Sequence, residues 1–575
     1  MKMKFHKEKY ICLEDEESLL NTKNKSSIFT VKKLILLVFA ALLFGFLNSS
    51  NFGFTNTTTK NSIVRYEKPL CPVPSKVPIK EHDNVQFILT NKDYHEGIIN
   101  RFSKSIQIPT FVFDENNDYT KMQKFHDFLK ESYPLTYETA EIDIVHDYGL
   151  VFHFPGLNTD LKPIMLTAHM DTVPIGDPND WLESPFSGRF DGEKFYGRGA
   201  SDCKNLLIGL MEAMEKLISD GKSTFERGVV FAFGYDEERS GRDGAFYISK
   251  FLLEKFGPNS MESIVDEGPK MFTDFMGDYY SMIINGEKGY TDLKIEINTP
   301  GGHSSMPRDH TSIGMMSTFL SEYESNLYDP LLVPENPMME FFECAAEQGH
   351  LPKDIKNAAL NARSDTKAKE ILLDYGLSDP HIKYNFRTTQ AIDIIDGGDK
   401  ANSLPRDVTT IINHRISYGN SPETILKKAT SLGKGTAKRY DIGLTVDDED
   451  IFPETINGKL TISFFDTPLL PAKVSPTNSE FYREFTGLIK SFYEDEVYPE
   501  KFTEGKKIII TPGIMTGNTD TKHYWDLTDN IFRVQPGHSE NSNAHGPNEW
   551  ISIESHLQSI SFYYNYISHF SVNDE

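Results

Sequence analysis

Leu166-Thr167-Ala168-His169-Met170-Asp171-Thr172-Val173-Pro174 is the stretch on which the reading of this chain turns. The apolar run Ile164 to Ala168 predicts a buried strand, and a His and an Asp stand just past its end. In an open α/β sheet, ligands bind outside the carboxyl ends of the strands. An imidazole there can bind a metal, and a nearby carboxylate can orient its ring. A strand-end His alone more often serves structure, so the meaning of this one depends on the loops further along the chain.

The sequence around the stretch alternates strands and helices. Lys121 to Tyr133 predicts a helix, Ile142 to Phe154 a strand or hairpin, and Asp191 to Arg198 a turn with a short strand. Leu207, Leu210, Met211, Met214 and Leu217 fall on one face of a helix over Leu206 to Ile218. Gly228 to Phe233 is a further apolar strand, ending in Asp236-Glu237-Glu238-Arg239-Ser240-Gly241. A helix over Ala245 to Phe256 leads to Ser263-Ile264-Val265-Asp266-Glu267-Gly268. Apolar strands ending in acidic or His-bearing loops and joined by helices predict a mainly parallel sheet covered on both faces.

The pattern then changes. Thr291 to Asn298 and Val408 to Arg415 alternate polar and apolar residues, as half-exposed strands do. Between them lie Gly301-Gly302-His303-Ser304-Ser305, a helix over Ser312 to Tyr323 and a long irregular stretch. This predicts an α+β lid, residues 286–455, inserted between catalytic-domain parts 81–285 and 456–575. The second part holds a helix near Ser479 to Tyr493, strands over Lys507 to Thr511 and Ile531 to Val534, and a last helix over Glu554 to Ser568.

Collected from the loops, the metal donors are His169, Asp202, Glu238, Asp266 and His545. This nitrogen–oxygen set suits zinc or another divalent first-row metal. It is too large for one tetrahedral site that keeps a water, and suits two metals about 3.5–4 Å apart sharing a carboxylate. Glu237, beside Glu238, is the natural general base. His538 is a rival to His545. Cys203 could be read as a nucleophile, but no partner His stands near it in sequence.

The segments HMDTVP, GRGASDCK, DEERSG, VDEG, GGHSSMP and AHGPNE, in this order, resemble the co-catalytic dizinc family of aminoacylases, glutamate carboxypeptidase and carboxypeptidase S. The resemblance covers roughly residues 80–570 and is nearest to the fungal vacuolar carboxypeptidase S branch. It implies that His169 and Asp266 hold one zinc, Glu238 and His545 the other, and that Asp202 bridges them. It also implies that Asp171 orients His169, that Glu237 shuttles the proton, and that His303 helps stabilise the oxyanion. Asn402, Arg415 and the Gly517-Asn518 loop are the candidates for binding a free α-carboxylate, for which Arg is the favoured partner. Two features depart from the family: Cys203, where relatives often carry Met, and a longer insert between about 320 and 395. The insert bears on whether the chain forms the homodimer that the lid makes in relatives.

Composition bounds the rest. A chain of 575 residues exceeds one ordinary core, and a formal charge of -25 argues against a nucleic-acid binder. Cys12, Cys71, Cys203 and Cys344 contain no CxxC pair, and a Cys71–Cys344 disulfide stays open. The apolar run Leu34 to Leu47 after Lys32-Lys33 predicts a signal-anchor helix over 34–54, following a cytosolic tail, 1–33, and preceding a stalk, 55–80. A cleaved signal peptide is the rival reading. Asp15 with Leu19-Leu20 resembles an acidic dileucine sorting signal read by an adaptor. Together these predict a type II membrane protein with its catalytic domain in the vacuole lumen. The function expected is a zinc carboxypeptidase acting on short peptides. The alternatives are an N-acyl-amino-acid amidohydrolase, an inactive trafficking adaptor and a metal buffer.

Overall fold

Eight strands make the sheet that carries His169: β1 (Glu141–Val145), β2 (Gly149–Phe154), β3 (Ile164–His169), β4 (Val229–Gly234), β5 (Ser263–Phe275), β6 (Asp278–Glu287), β7 (Ile509–Met515) and β8 (Ile531–His538). The computed structural model describes residues 69–71, 73–113, 118–503 and 505–572. All of them lie in the unit Tyr66–Glu575.

The strand order is β1-β2-β4-β3-β5-β8-β6-β7. Around the site the pairing is parallel, as predicted: β3 with β4, β3 with β5, and β5 with β8. The sheet as a whole is mixed, which corrects the mainly parallel expectation. β1 and β2 form a hairpin, and β2 lies antiparallel to β4. Their short connection, residues 146–148, leaves no room for the crossover that a parallel pair needs. β6 turns straight back from β5 in the same way before pairing with β8 and β7.

Every residue of β3 and of β4 is buried, which is why both read as unbroken apolar runs rather than alternating ones. Helices Lys204–Ser219 and Ile553–Ser571 cover one face, their side chains joining those of β3 and β4 in a single core. The two helices approach closely at Gly209, where an added Cβ would lie 3.2 Å from the Ser559 side chain. Helix Ala245–Phe256 closes the opposite face with Val151, Met165 and Val230.

A six-stranded sheet spans residues 289–464, in the order Thr389–Gly397, Asp407–Ile416, Gly289–Asn298, Lys459–Phe464, Gly443–Val446 and Glu449–Phe452. Helices Ser312–Ser325 and Pro422–Tyr440 pack on it. The stretch read as irregular folds into helices Met338–Gln348, Lys353–Ala359 and Thr366–Ser378. Their apolar side chains pack with Tyr280 of β6 and with Ile509 and Ile514 of β7, so this insert flanks the large sheet. Cys71 and Cys344 form a disulfide, closing the pairing that the sequence left open.

The tail, the 34–54 anchor and the Asp15-Leu19-Leu20 signal lie outside the described residues. The type II membrane arrangement is withdrawn. No helix among the described residues is long and apolar enough to cross a membrane.

Candidate active site

The strand ends converge as the parallel register requires. His169 closes β3, and the turn Glu237–Arg239 comes directly after the adjacent β4. Asp202 and Cys203 immediately precede helix Lys204–Ser219. Glu267 lies on β5 at the other side of β3. His545 comes from the loop after β8, in a left-handed conformation with φ 61°.

Three overlapping groups of ligand atoms result, each within 4.8 Å of one another: His169 with Cys203 and Glu267, His169 with Glu237 and Glu238, and Asp202 with Glu238 and His545. His169 Nε2 is 3.2 Å from Asp202 Oδ1 and 3.4 Å from Glu267 Oε1. His545 Nε2 is 3.0 Å from Asp202 Oδ2 and 3.3 Å from Glu238 Oε2. Asp202 thus stands between the two imidazoles, one carboxylate oxygen toward each.

Asp171, fully buried, lies behind His169. Its Oδ1 is 3.4 Å from His169 Nδ1, and the backbone oxygen of Asp171 is 3.0 Å from the same nitrogen. That leaves Nε2 facing the acidic cluster.

A buried frame fixes the two loops that supply Asp202 and His545. Glu549 accepts hydrogen bonds from Arg198 Nη1 at 2.7 Å and from the backbone N–H groups of Gly199, Ser201 and Asp202 at 3.1, 2.7 and 3.1 Å. Arg198 Nη2 also donates to the His545 backbone oxygen at 3.2 Å. Neither Arg198 nor Glu549 stands out as a site residue in sequence, although they fall inside the GRGASDCK and AHGPNE motifs.

The electrostatics mark a centre dense in negative charge. Burial, with Glu267 nearby, pushes the Glu237 carboxyl well above its ordinary value. Burial pushes Glu238 up to about 7 against the opposing pull of His545. Its Oε1 is buried without a hydrogen-bond partner. Hydrogen bonds to Asp202 and Glu238 lift His545 to about 10. A cluster of imidazole and carboxylate donors with an orphaned buried oxygen fits divalent cations, whose charge would offset this excess.

Of the expected ligands, His169, Asp202, Glu238 and His545 come together, with Glu237 beside them. Asp266 lies outside the three donor groups, and its neighbour Glu267 faces His169 instead. Arg415 and Asn518 meet, Arg415 Nη1 donating to Asn518 Oδ1 at 3.1 Å, while Asn518 Nδ2 donates to the Lys288 oxygen at 2.7 Å. Gly517 precedes Asn518 with open space where a Cβ would stand. His303 and Asn402 are exposed, and their bonds stay local. His303 Nδ1 is 2.7 Å from Ser305 Oγ, and the Asn402 oxygen accepts from Ser304 N at 3.3 Å. His538 lies by Asp274, 3.8 Å away, outside the three donor groups.

An α/β sheet with imidazole and carboxylate donors gathered at its strand ends defines a candidate metal centre. The chain belongs to peptidase family M20/M25/M40, whose profile matches residues 165–569. Carboxypeptidase S of Saccharomyces cerevisiae is 35% identical over 500 residues, covering 84% of this chain and 86% of that protein. An N-fatty-acyl-amino acid synthase/hydrolase of Danio rerio is 28% identical over 504 residues, covering 86% and 90%. In fold, the chain is similar to human carnosine dipeptidase 1, with a TM-score of 0.58 at 15% identity, covering 86% of this chain and 99% of that one. The chain is an enzyme of the metallo-carboxypeptidase class, as its motifs predicted.

Proposed function

We propose that this enzyme is a two-zinc exopeptidase that hydrolyses the carboxy-terminal peptide bond of short peptides. The observation that carries the reading is the position of Asp202, 3.2 Å from His169 and 3.0 Å from His545, with Glu237 and Glu238 alongside. His169, Asp202 and Glu267 would hold one cation, and Asp202, Glu238 and His545 the other. Bound there, a cation pair supplies Lewis acidity and an ionised water near neutral pH.

The chain's own groups do the rest. Glu237, held by its backbone N–H on Asp171, takes the proton of the attacking water and returns it to the leaving nitrogen. Asp171 keeps His169 Nε2 turned toward the centre. Arg415, oriented by Asn518 and stacked 4.9 Å from the Tyr290 ring, is positioned to grip a free α-carboxylate. The six-stranded sheet that carries Arg415 acts as a lid bringing substrate-binding groups to the centre.

The likeness to the Danio rerio synthase/hydrolase supports a second reading, in which the substrate is an N-acyl amino acid. It presents the same amide beside a carboxylate. Purified full-length protein, wild type and Glu237→Ala, assayed on a blocked dipeptide and on a fatty-acyl amino acid, separates the two. Two zincs per chain and dipeptide hydrolysis abolished by the substitution are expected. Turnover confined to the acyl amino acid transfers the assignment to the second reading. Bound metal with neither substrate turned over refutes both.

A further inference from the structure

His169, Cys203 and Glu267 come from three separate elements, yet one ligand atom of each lies within 4.8 Å of the others. All are buried, at 1%, 0% and 9% exposure. Cys203 is the free cysteine of the described residues. His169 presents Nε2 to this side, because Nδ1 is held by Asp171. In the adjoining group of His169, Glu237 and Glu238, the Glu238 side chain is 7% exposed and its Oε1 is buried without a hydrogen-bond partner.

We propose that Cys203 is a metal ligand, giving the cation at His169 and Glu267 a nitrogen–sulfur–oxygen set. The inference rests on the two-metal reading above and deepens it. As the sulfur–metal bond forms, the S–H bond breaks and its proton leaves to water, since a coordinating thiol ionises. With Asp202, which faces His169 Nε2 at 3.2 Å, four protein donors would then be available to the cation on the His169 side. The other cation has three, Asp202, Glu238 and His545, and His545 is 56% exposed. A soft sulfur donor also favours zinc and cadmium over manganese and magnesium on the His169 side.

Cobalt(II) is the probe, because thiolate coordination produces an intense charge-transfer band in the near ultraviolet that nitrogen and oxygen donors do not. The full chain carrying Cys12→Ser leaves Cys203 as its one thiol outside the disulfide. Loaded with cobalt, it is expected to show the band, and Cys203→Ser in the same background is expected to abolish it while visible cobalt absorption persists. Cobalt bound at two per chain with no charge-transfer band overturns the inference and leaves the two-metal reading standing. No retained cobalt overturns both. X-ray absorption of the zinc-loaded protein needs no substitution at Cys203: a metal–sulfur distance of about 2.3 Å supports the ligand, and a shell of nitrogen and oxygen alone refutes it.

Discussion

Asp171 accepts the backbone N–H of Glu237 through Oδ1 at 3.1 Å, tying the proposed base to the strand end that carries His169. Its Oδ2 takes the next backbone N–H, that of Glu238, at 3.1 Å. One buried carboxylate thus orients an imidazole and two acidic residues together. Asp171→Asn keeps the size but points an N–H₂ group at one of these donors. A loss of about 10–100-fold in metal affinity or kcat is expected, the usual range for a residue that orients a ligand. Chelator competition and steady-state rates measure both, and wild-type values in each would remove Asp171 from this role.

Glu549 and Arg198 are buried at 0% and 1% exposure, and the carboxylate also satisfies three backbone N–H groups. Glu549→Ala strands the guanidinium without its partner. Breaking such a pair costs about 3–5 kcal/mol, to be read from urea unfolding of the metal-free protein. Asp202 loses its anchor as well, so the refolded variant is expected to bind metal weakly. A change below about 1 kcal/mol, the scale of a surface pair, would show that the frame does not depend on this carboxylate.

Much of this site was legible because it sits where apolar strands stop. Runs such as Ile164–Ala168 and Gly228–Phe233 locate strand ends whatever the rest of the sheet does. Their directions were less legible, since an apolar run carries no sign of which way its neighbour runs. Met338–Gln348 is hidden for a related reason: Met338, Met339, Phe341, Phe342, Cys344, Ala345 and Ala346 are all buried, so no single stripe marks the helix. Glu549 is hidden because its work is to accept backbone N–H groups, and no side-chain spacing announces that.

Acid should weaken the fold through His556. Its ring is buried, stacked 4.2 Å from the Phe102 ring, with Nδ1 2.9 Å from Asn205 Oδ1. Burial, aided by Lys270 and Arg101, lowers its pKa to about 3. The folded value lies below the unfolded one, so the unfolded chain binds a proton that the folded chain refuses. The stabilisation is complete above the unfolded pKa of about 6.5 and is lost as pH falls from there toward about 3. At about pH 5 the loss is about 2 kcal/mol, at 1.4 kcal/mol per unit. Urea midpoints at neutral pH and at about pH 5 should therefore lie closer together in His556→Gln than in wild type. Equal separations would mean that this ring does not govern the acid limb.

Asp266 and Glu267 pose the sharpest choice. They are consecutive on β5, so their side chains leave opposite faces of the sheet. Ile264 and Val265 are both buried, and apolar surroundings on both faces hide which acid meets the metal. Glu267 Oε1 is 3.4 Å from His169 Nε2, while Asp266 stands outside the three donor groups. Burial, reinforced by Glu267, pushes the Asp266 carboxyl up to about 8. Glu267→Gln is expected to lower bound zinc from about two per chain to about one and to abolish turnover, because a neutral amide is a poor donor beside a divalent ion. Asp266→Asn is expected to keep both cations and most of the activity. Zinc content after dialysis, measured beside kcat, checks the pair of substitutions. If Asp266→Asn loses the metal and Glu267→Gln keeps it, the ligand is Asp266 and the strand face assigned to the site is the other one.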